Sequence, residues 1–306
     1  MSSKKTFSQK QLESLSASEI IQKIQSENFS LLKTLGGEKL RKEMVPVGKI
    51  CALVVKICPT PKKLAKGLRK FTPANYETKN LPKNSKNGLV IGFNHPSLGE
   101  IPRLILMKLE QFDEKPMLFP VNLPWYEAIA PIHESLKKLG ILITPTITPS
   151  TWKKLALVPK NPLYEPAEKL KRDFRNLYTD LSIETVKDGG CIMVAPSATR
   201  QATVFRTKAV YEKTEEVIPT MSVLALKLYQ NPETSSAFLP VAVFPLENAS
   251  RGLNLFKTYT LIPGKLMTAA EIRQNYFKTA NPKRLENFDY DFHQRIAAEL
   301  PKKFWF

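Results

Sequence analysis

The chain is poor in the residues that build covalent staples and metal centres. It has 3 cysteines and 3 histidines in 306 residues. The odd cysteine count excludes a disulfide framework as the basis of the fold. Cys51 and Cys58 stand a heptad apart, so on one helix they share a face but cannot bond to each other. With Cys191 they lie in apolar sequence and are expected to be small buried hydrophobes in a reducing compartment. His95, His133 and His293 are far apart and lack paired cysteines, so no metal site is expected. His133 and His293 fall on helical patterns and are expected at a helix surface or half-buried. Long apolar runs are also missing. The longest, Ile50 to Pro59, is interrupted by Lys56 and falls short of the roughly 20 residues that cross a bilayer. The opening Met-Ser-Ser-Lys-Lys-Thr is polar and leads into no apolar run, so a secretory signal is not expected. The expected location is the cytoplasm, or an organelle stroma or matrix.

Acidic residues are scarce as well. Against 46 Lys and Arg there are 28 Asp and Glu, a net charge of +18. The surplus is uneven: residues 1–90 hold 18 basic and 6 acidic side chains. From Glu43 to Glu77 no acidic residue intervenes, while Lys49, Lys56, Lys62, Lys63, Lys66, Arg69 and Lys70 all fall there. Such a field attracts an anionic membrane, an acidic protein or a polyanion. Zinc-finger spacing, aromatic ribonucleoprotein strands and long basic arms are missing, so a nucleic-acid partner is not expected. Val45–Phe71 mixes apolar and basic residues, the composition of a segment that lies on a membrane surface. A plain solvated basic face is the alternative reading.

Residues 1–80 read as a basic, helical N-terminal region. Ser16-Ala17-Ser18-Glu19 is a capping box, Gly36-Gly37 is a break, a helix is expected over Lys39–Cys58, and a short basic one over Lys62–Lys70. Thr72–Asn87 is the best linker candidate. From residue 81 to 306, strands alternate with helices. Strands are expected at Leu89–Phe93, Met117–Pro120, Ile141–Thr144, Cys191–Ala195, Phe238–Phe244 and Phe256–Ile262. Helices are expected at Ile101–Leu109, Trp125–Leu139, Ala167–Lys187, Thr268–Tyr276 and Arg284–Leu300. A proline-rich loop is expected over Pro145–Pro166. This alternation predicts an α/β fold: a mixed, mainly parallel sheet flanked by helices, behind an N-terminal helical bundle. Ligands of such sheets collect at the carboxyl ends of the strands.

Two segments carry chemistry at such ends. Asn94-His95-Pro96-Ser97-Leu98-Gly99-Glu100 follows the first strand and precedes a helix. A carboxylate that accepts one imidazole N–H fixes the tautomer, so the other nitrogen can take a proton from a hydroxyl. Gly189-Gly190-Cys191-Ile192-Met193-Val194-Ala195-Pro196-Ser197-Ala198-Thr199-Arg200 ends a buried strand in a small-residue loop with one arginine. A guanidinium there can clamp a phosphate, with Ser197 and Thr199 adding hydroxyls. Plainer readings exist for each group. Glu100 could pair with Arg103 one helical turn on. Arg200 could be a structural ion pair, Lys153, Lys154 and Arg206 solvated surface charges, and Trp125-Tyr126 core rather than groove.

Together with the strand Phe238-Leu239-Pro240-Val241-Ala242-Val243-Phe244-Pro245, these segments resemble the ordered blocks of the glycerolipid acyltransferase superfamily. Its first block is His, four residues, then Asp; its third is Pro-Glu-Gly-Thr-Arg; its fourth is a Pro-Val-x-x-Pro strand. The likeness is nearest to the soluble plastid-type glycerol-3-phosphate acyltransferases, which carry Ala-Pro-Ser-Gly-Gly-Arg and an N-terminal helical bundle. Here Glu100 stands for the Asp, Ala198-Thr199 for Gly-Gly, Ala202 for a second arginine, and Leu155 for a histidine of the acceptor site. The resemblance implies transfer of a fatty acyl group from acyl-carrier protein or acyl-CoA to the sn-1 hydroxyl of glycerol 3-phosphate. His95 would be the general base and Glu100 its orienting partner. Arg200, Lys153, Lys154 and Arg206 would hold the acceptor phosphate, and Ser197 and Thr199 would support the loop. No cofactor beyond the acyl donor is implied, and a monomer is expected. A lysophosphatidic acid or other lysophospholipid acceptor at a membrane, and a non-catalytic lipid- or carrier-binding homologue, are the alternatives.

Overall fold

The computed structural model describes residues 49, 53–54, 56–71, 74–77, 80–82, 88–94, 100–112, 115–123, 126, 129, 132–147, 164–196, 220–231, 234–244, 258–277 and 282–300. The capping box at Ser16, the Gly36-Gly37 break, Cys51 and most of the N-terminal helical region lie outside them. The protein is α/β, and its described residues place seven strands in one mixed, mostly parallel sheet flanked by helices. The strands are β1 (Ala74–Tyr76), β2 (Leu89–Phe93), β3 (Met117–Asn122), β4 (Ile141–Thr146), β5 (Cys191–Val194), β6 (Ala237–Phe244) and β7 (Tyr259–Pro263). Their order across the sheet is β1-β7-β6-β2-β5-β3-β4. The chain divides into two compact units, residues 1–59 with 118–182, and residues 60–117 with 183–306.

The second unit holds the centre of the sheet. β2 runs parallel to β5, with Leu89 opposite Cys191 and Gly92 opposite Val194. On its other side β2 runs parallel to β6, with Leu89 opposite Ala237 and Phe93 opposite Val241. A strand paired on both edges and covered on both faces has no polar side, and all five residues of β2 are buried. Only β6 and β7 among the described pairs are antiparallel. Pro240 sits inside β6, where it cannot donate to the ladder. Its missing N–H falls on the β7 side, between the Phe238–Met267 bridge and the Val241–Pro263 pairing. There the Pro240 carbonyl still accepts from Gly264 N–H at 2.8 Å.

Helices pack on this sheet. They are α1 (Pro61–Phe71), α2 (Glu100–Gln111), α3 (His133–Lys138), α4 (Tyr164–Lys187), α5 (Thr220–Tyr229), α6 (Ala269–Ile272) and α7 (Pro282–Ala298), and α6 runs on into a π-helical turn, Arg273–Phe277. α7 turns Phe288, Phe292, His293 and Ile296 inward at helical spacing, and all four are buried. Phe292 lies so close to β2 that a Cβ on Gly92 would stand 2.2 Å from its ring. Glycine at 92 is what lets the helix approach the strand. The ring of Phe238 meets those of Phe288 and Phe292 edge-on at 5.5 and 6.3 Å. Each fully buried phenylalanine of this cluster contributes roughly 2–3 kcal/mol through removal from water. Asp289 on α7 accepts the Met221 N–H at 2.9 Å and the Ser222 N–H at 3.3 Å, capping the first turn of α5.

α4 ends where the sequence predicts. Gly189 adopts φ 70°, its N–H reaches the Val186 carbonyl, and the Gly190 N–H reaches the Thr185 carbonyl. That pair of bonds is a Schellman motif, which needs a left-handed residue at Gly189. The N-terminal turn of α6 is capped by the Thr268 hydroxyl, which accepts from Glu271 N–H at 3.2 Å.

Several expectations are corrected. The polar stretch 72–87 carries β1, a short strand held parallel to β7. β4 runs on through Pro145 to Thr146, as an edge strand can, instead of giving way to loop at that proline. α5 falls in a segment with no expected element. His133 and His293 are buried, 7% and 5% exposed, rather than at a helix surface or half-buried. Cys58 and Cys191 are free and buried, as expected.

Candidate functional site

Two of the candidate segments follow adjacent strands in the chain. Because β2 and β5 are parallel and in register from Leu89–Cys191 to Gly92–Val194, the chain leaves both at the same edge of the sheet. His95 follows β2 by two residues, and Arg200 follows β5 by six. The residues just past β5 are described as far as Pro196, which is buried. Glu100 is the first residue of α2, so the helix begins one residue before the expected Ile101. A carboxylate in that first turn suits the positive end of a helix. His95, Lys153, Lys154, Ser197, Thr199, Arg200, Arg206 and the side chain of Glu100 lie outside the described residues.

A group that sequence reading passed over anchors this edge. Asn94 is buried at the carboxyl end of β2. Its side-chain Nδ2 donates to the Val243 carbonyl at 3.0 Å, and its Oδ1 accepts the Val243 N–H at 2.6 Å. The amide thus satisfies both backbone groups of one β6 residue and carries the β2–β6 pairing one step beyond the ladder. The residue immediately before His95 is thereby held on its neighbouring strand. Its partner is 149 positions away, which no local pattern signals.

α2 brings further cations under the sheet. Arg103 is fully buried with its guanidinium 4.3 Å from the centre of the Tyr259 ring on β7, a cation–π contact. Lys108, also fully buried, donates to the Lys115 carbonyl. On the outer side Arg69 of α1 pairs with Glu110 of α2, Nε to Oε1 at 2.8 Å. The Glu110 hydrogen bond, with a smaller Coulombic contribution, raises the Arg69 pKa against the opposing effect of burial.

Other reactive groups are unsuited to covalent chemistry. Burial pushes the Cys191 thiol up to about 12 against a small opposing effect of Lys108, so it is no thiolate nucleophile. In the other unit Tyr126 is core, as expected, its ring tilted 50° against the His133 ring with centroids 4.2 Å apart. Burial drives the His133 pKa down to about 4, with a backbone hydrogen bond at Tyr126 opposing. Both histidines outside the candidate loop are therefore neutral structural groups at pH 7. Among the described residues no group of three or more His, Cys, Asp or Glu is arranged to hold a metal ion. No helix among them is long and apolar enough to cross a membrane.

No family model matches the chain, and no curated protein matches it.

Proposed function

We propose that the protein is an O-acyltransferase that moves a fatty acyl group from acyl-carrier protein or acyl-CoA to a hydroxyl of glycerol 3-phosphate. The observation that carries this reading is the in-register, parallel adjacency of β2 and β5. It brings the carboxyl ends of β2 and β5 side by side, and the His95–Glu100 and Ser197–Arg200 segments follow those two strands in the chain, which supports a base and a phosphate clamp serving one acceptor. The Asn94–Val243 clamp, which steadies the backbone entering His95, adds to it.

In this reading a ring nitrogen of His95 takes the acceptor hydroxyl proton as the oxygen attacks the thioester carbonyl carbon. Glu100 accepts the other ring N–H and stabilises the imidazolium. The tetrahedral intermediate collapses with loss of the C–S bond, and the departing thiolate takes the proton from the imidazolium. Arg200, with Lys153, Lys154 and Arg206, holds the acceptor phosphate, while Ser197 and Thr199 support the loop. The basic surface suits an acidic carrier protein.

Purified protein given a mixed pool of acyl donors and phosphorylated acceptors, with products read by mass spectrometry, tests this. Acylated glycerol phosphate should form with wild type and fall to background with His95→Ala. Equal background from both across all acceptors would refute it.

One observation favours a second acceptor class. Leu53 and Ile57, four residues apart in helical backbone, are 57% and 65% exposed, and Lys49 and Lys56 beside them are exposed too. α1 separately exposes Lys62, Lys63, Lys66 and Lys70. Apolar side chains in water among lysines suit an anionic bilayer, and with it a lysophospholipid acceptor. Sedimentation with anionic vesicles would pellet the protein; recovery in the supernatant equal to that without lipid would remove this reading.

A further inference from the structure

An open cleft of about 650 Å³ lies between the end of α5 and the α6–π-helical segment. Its volume is in the range of small-molecule sites. Leu226, Ala270 and Phe277 supply apolar walls, and Gln230 and Gln274 supply amides. Arg273 supplies a positive charge, and this guanidinium is held in place. It lies 4.7 Å above the centre of the Tyr229 ring and donates a long bond, 3.4 Å, to the Thr234 carbonyl. Tyr229 is fixed in turn: its hydroxyl donates to the Ser236 carbonyl at 2.9 Å, and Phe277 meets its ring edge-on at 5.7 Å. The nearby Glu271 is engaged by Arg295 at 2.8 Å. Among the described residues no carboxylate pairs with Arg273. Arg273 also opens the π-helical turn Arg273–Phe277, a costly backbone form that recurs at functional sites.

The cleft is far from the strand ends that bear His95 and Arg200. Thr234 and Ser236 lead into the start of β6, which runs parallel to β2, so this is the opposite edge of the sheet.

We propose that the cleft binds an amphiphilic monocarboxylate of medium-chain length. Its carboxylate is clamped by the stacked Arg273 fork, and its hydrocarbon lies along Leu226, Ala270 and Phe277. The one guanidinium balances a single negative charge and the two neutral amides can add hydrogen bonds, whereas a phosphate dianion would leave charge uncompensated. The apolar walls add affinity in proportion to the chain they cover. The proposal does not depend on acyltransferase chemistry.

Calorimetric titration with octanoate and with octan-1-ol tests it. Wild type should bind octanoate saturably and octanol roughly tenfold more weakly or worse, since a charge-assisted bond is worth at least one decade. Arg273→Gln, at an exposed position, should keep the circular dichroism of wild type and weaken octanoate by roughly tenfold or more, with octanol unchanged. His95→Ala should bind octanoate as wild type does, whatever its effect on acyl transfer. Equal binding of octanoate and octanol, unchanged octanoate binding in Arg273→Gln, or no saturable heat would each overturn the site.

Discussion

Acid should loosen this protein below neutral pH because two histidines are locked away uncharged. His133 and His293 are 7% and 5% exposed, and burial lowers the pKa of each to about 4 from the ordinary 6.5. A folded-state pKa below the unfolded one means that the unfolded chain binds the proton first. Stability is therefore complete above pH 6.5 and is lost as the pH falls from 6.5 toward 4. At about 1.4 kcal/mol per pH unit, each histidine costs roughly 2 kcal/mol at pH 5. Asp289 acts in the opposite sense. Burial raises its pKa to about 6 from 3.8, against the lowering effect of its bonds to Ser222 and Met221. The folded state then binds the proton first, so acidification from pH 6 toward 3.8 stabilises the fold, by roughly 1 kcal/mol at pH 5. The net loss from pH 7.5 to 5 is between about 2 and 3 kcal/mol. With a urea m-value of about 3 kcal/mol/M, the midpoint should fall by just under 1 M. Urea melts followed by circular dichroism at pH 7.5, 6.5, 5.5 and 5.0 read this directly. His293→Gln should remove about half of the histidine contribution, and Asp289→Asn should steepen the fall by removing the opposing group. A midpoint that is flat or rises over that range, or a His293→Gln slope equal to wild type, would refute the reasoning.

Other perturbations probe the framework. Asn94→Ala leaves the N–H and C=O of Val243 buried and unpaired, so it should cost roughly 2–5 kcal/mol in a urea melt; a loss under about 0.5 kcal/mol would show the clamp to be idle. Gly92→Ala drives a methyl into Phe292 and should destabilise by more than about 2 kcal/mol, with Phe292→Leu in the same chain recovering part of the loss. If the double variant is no more stable than Gly92→Ala, the clash is not the cause. Arg69→Ala breaks an ion pair whose arginine is 54% exposed, so its effect should stay below about 1 kcal/mol and shrink in high salt.

Wherever one segment's own residues decide its state, the chain could be read directly. β2 and β5 are unbroken apolar runs because both faces of a parallel strand are covered. The stop of α4 follows from Asp188-Gly189-Gly190, since a glycine can take the left-handed turn that closes the last carbonyls. α7 announces its buried stripe through the spacing of Phe288, Phe292 and Ile296. The two candidate segments stand out in the sequence because each follows an apolar run, and past Asn94 and Pro196 they lie outside the described residues until Glu100.

What the tertiary structure alone decided depends on partners distant in the chain. Ala74-Asn75-Tyr76 has no strand pattern and becomes β1 only because β7 offers it a parallel edge. α5 is apolar on nearly every side, so no amphipathic period betrays it; its first turn is satisfied by Asp289 on another helix. His133 and His293 sit among helical polar residues, yet packing against Tyr126 and around the sheet removes them from water. Asn94 drew no notice in the sequence and proved to be a bridge to Val243. That β5 lies directly beside β2, bringing the carboxyl ends of both to one edge, is a property of strand order. Residue composition sets which segments want to be strands, but hydrogen bonding between separate segments sets which of them become neighbours.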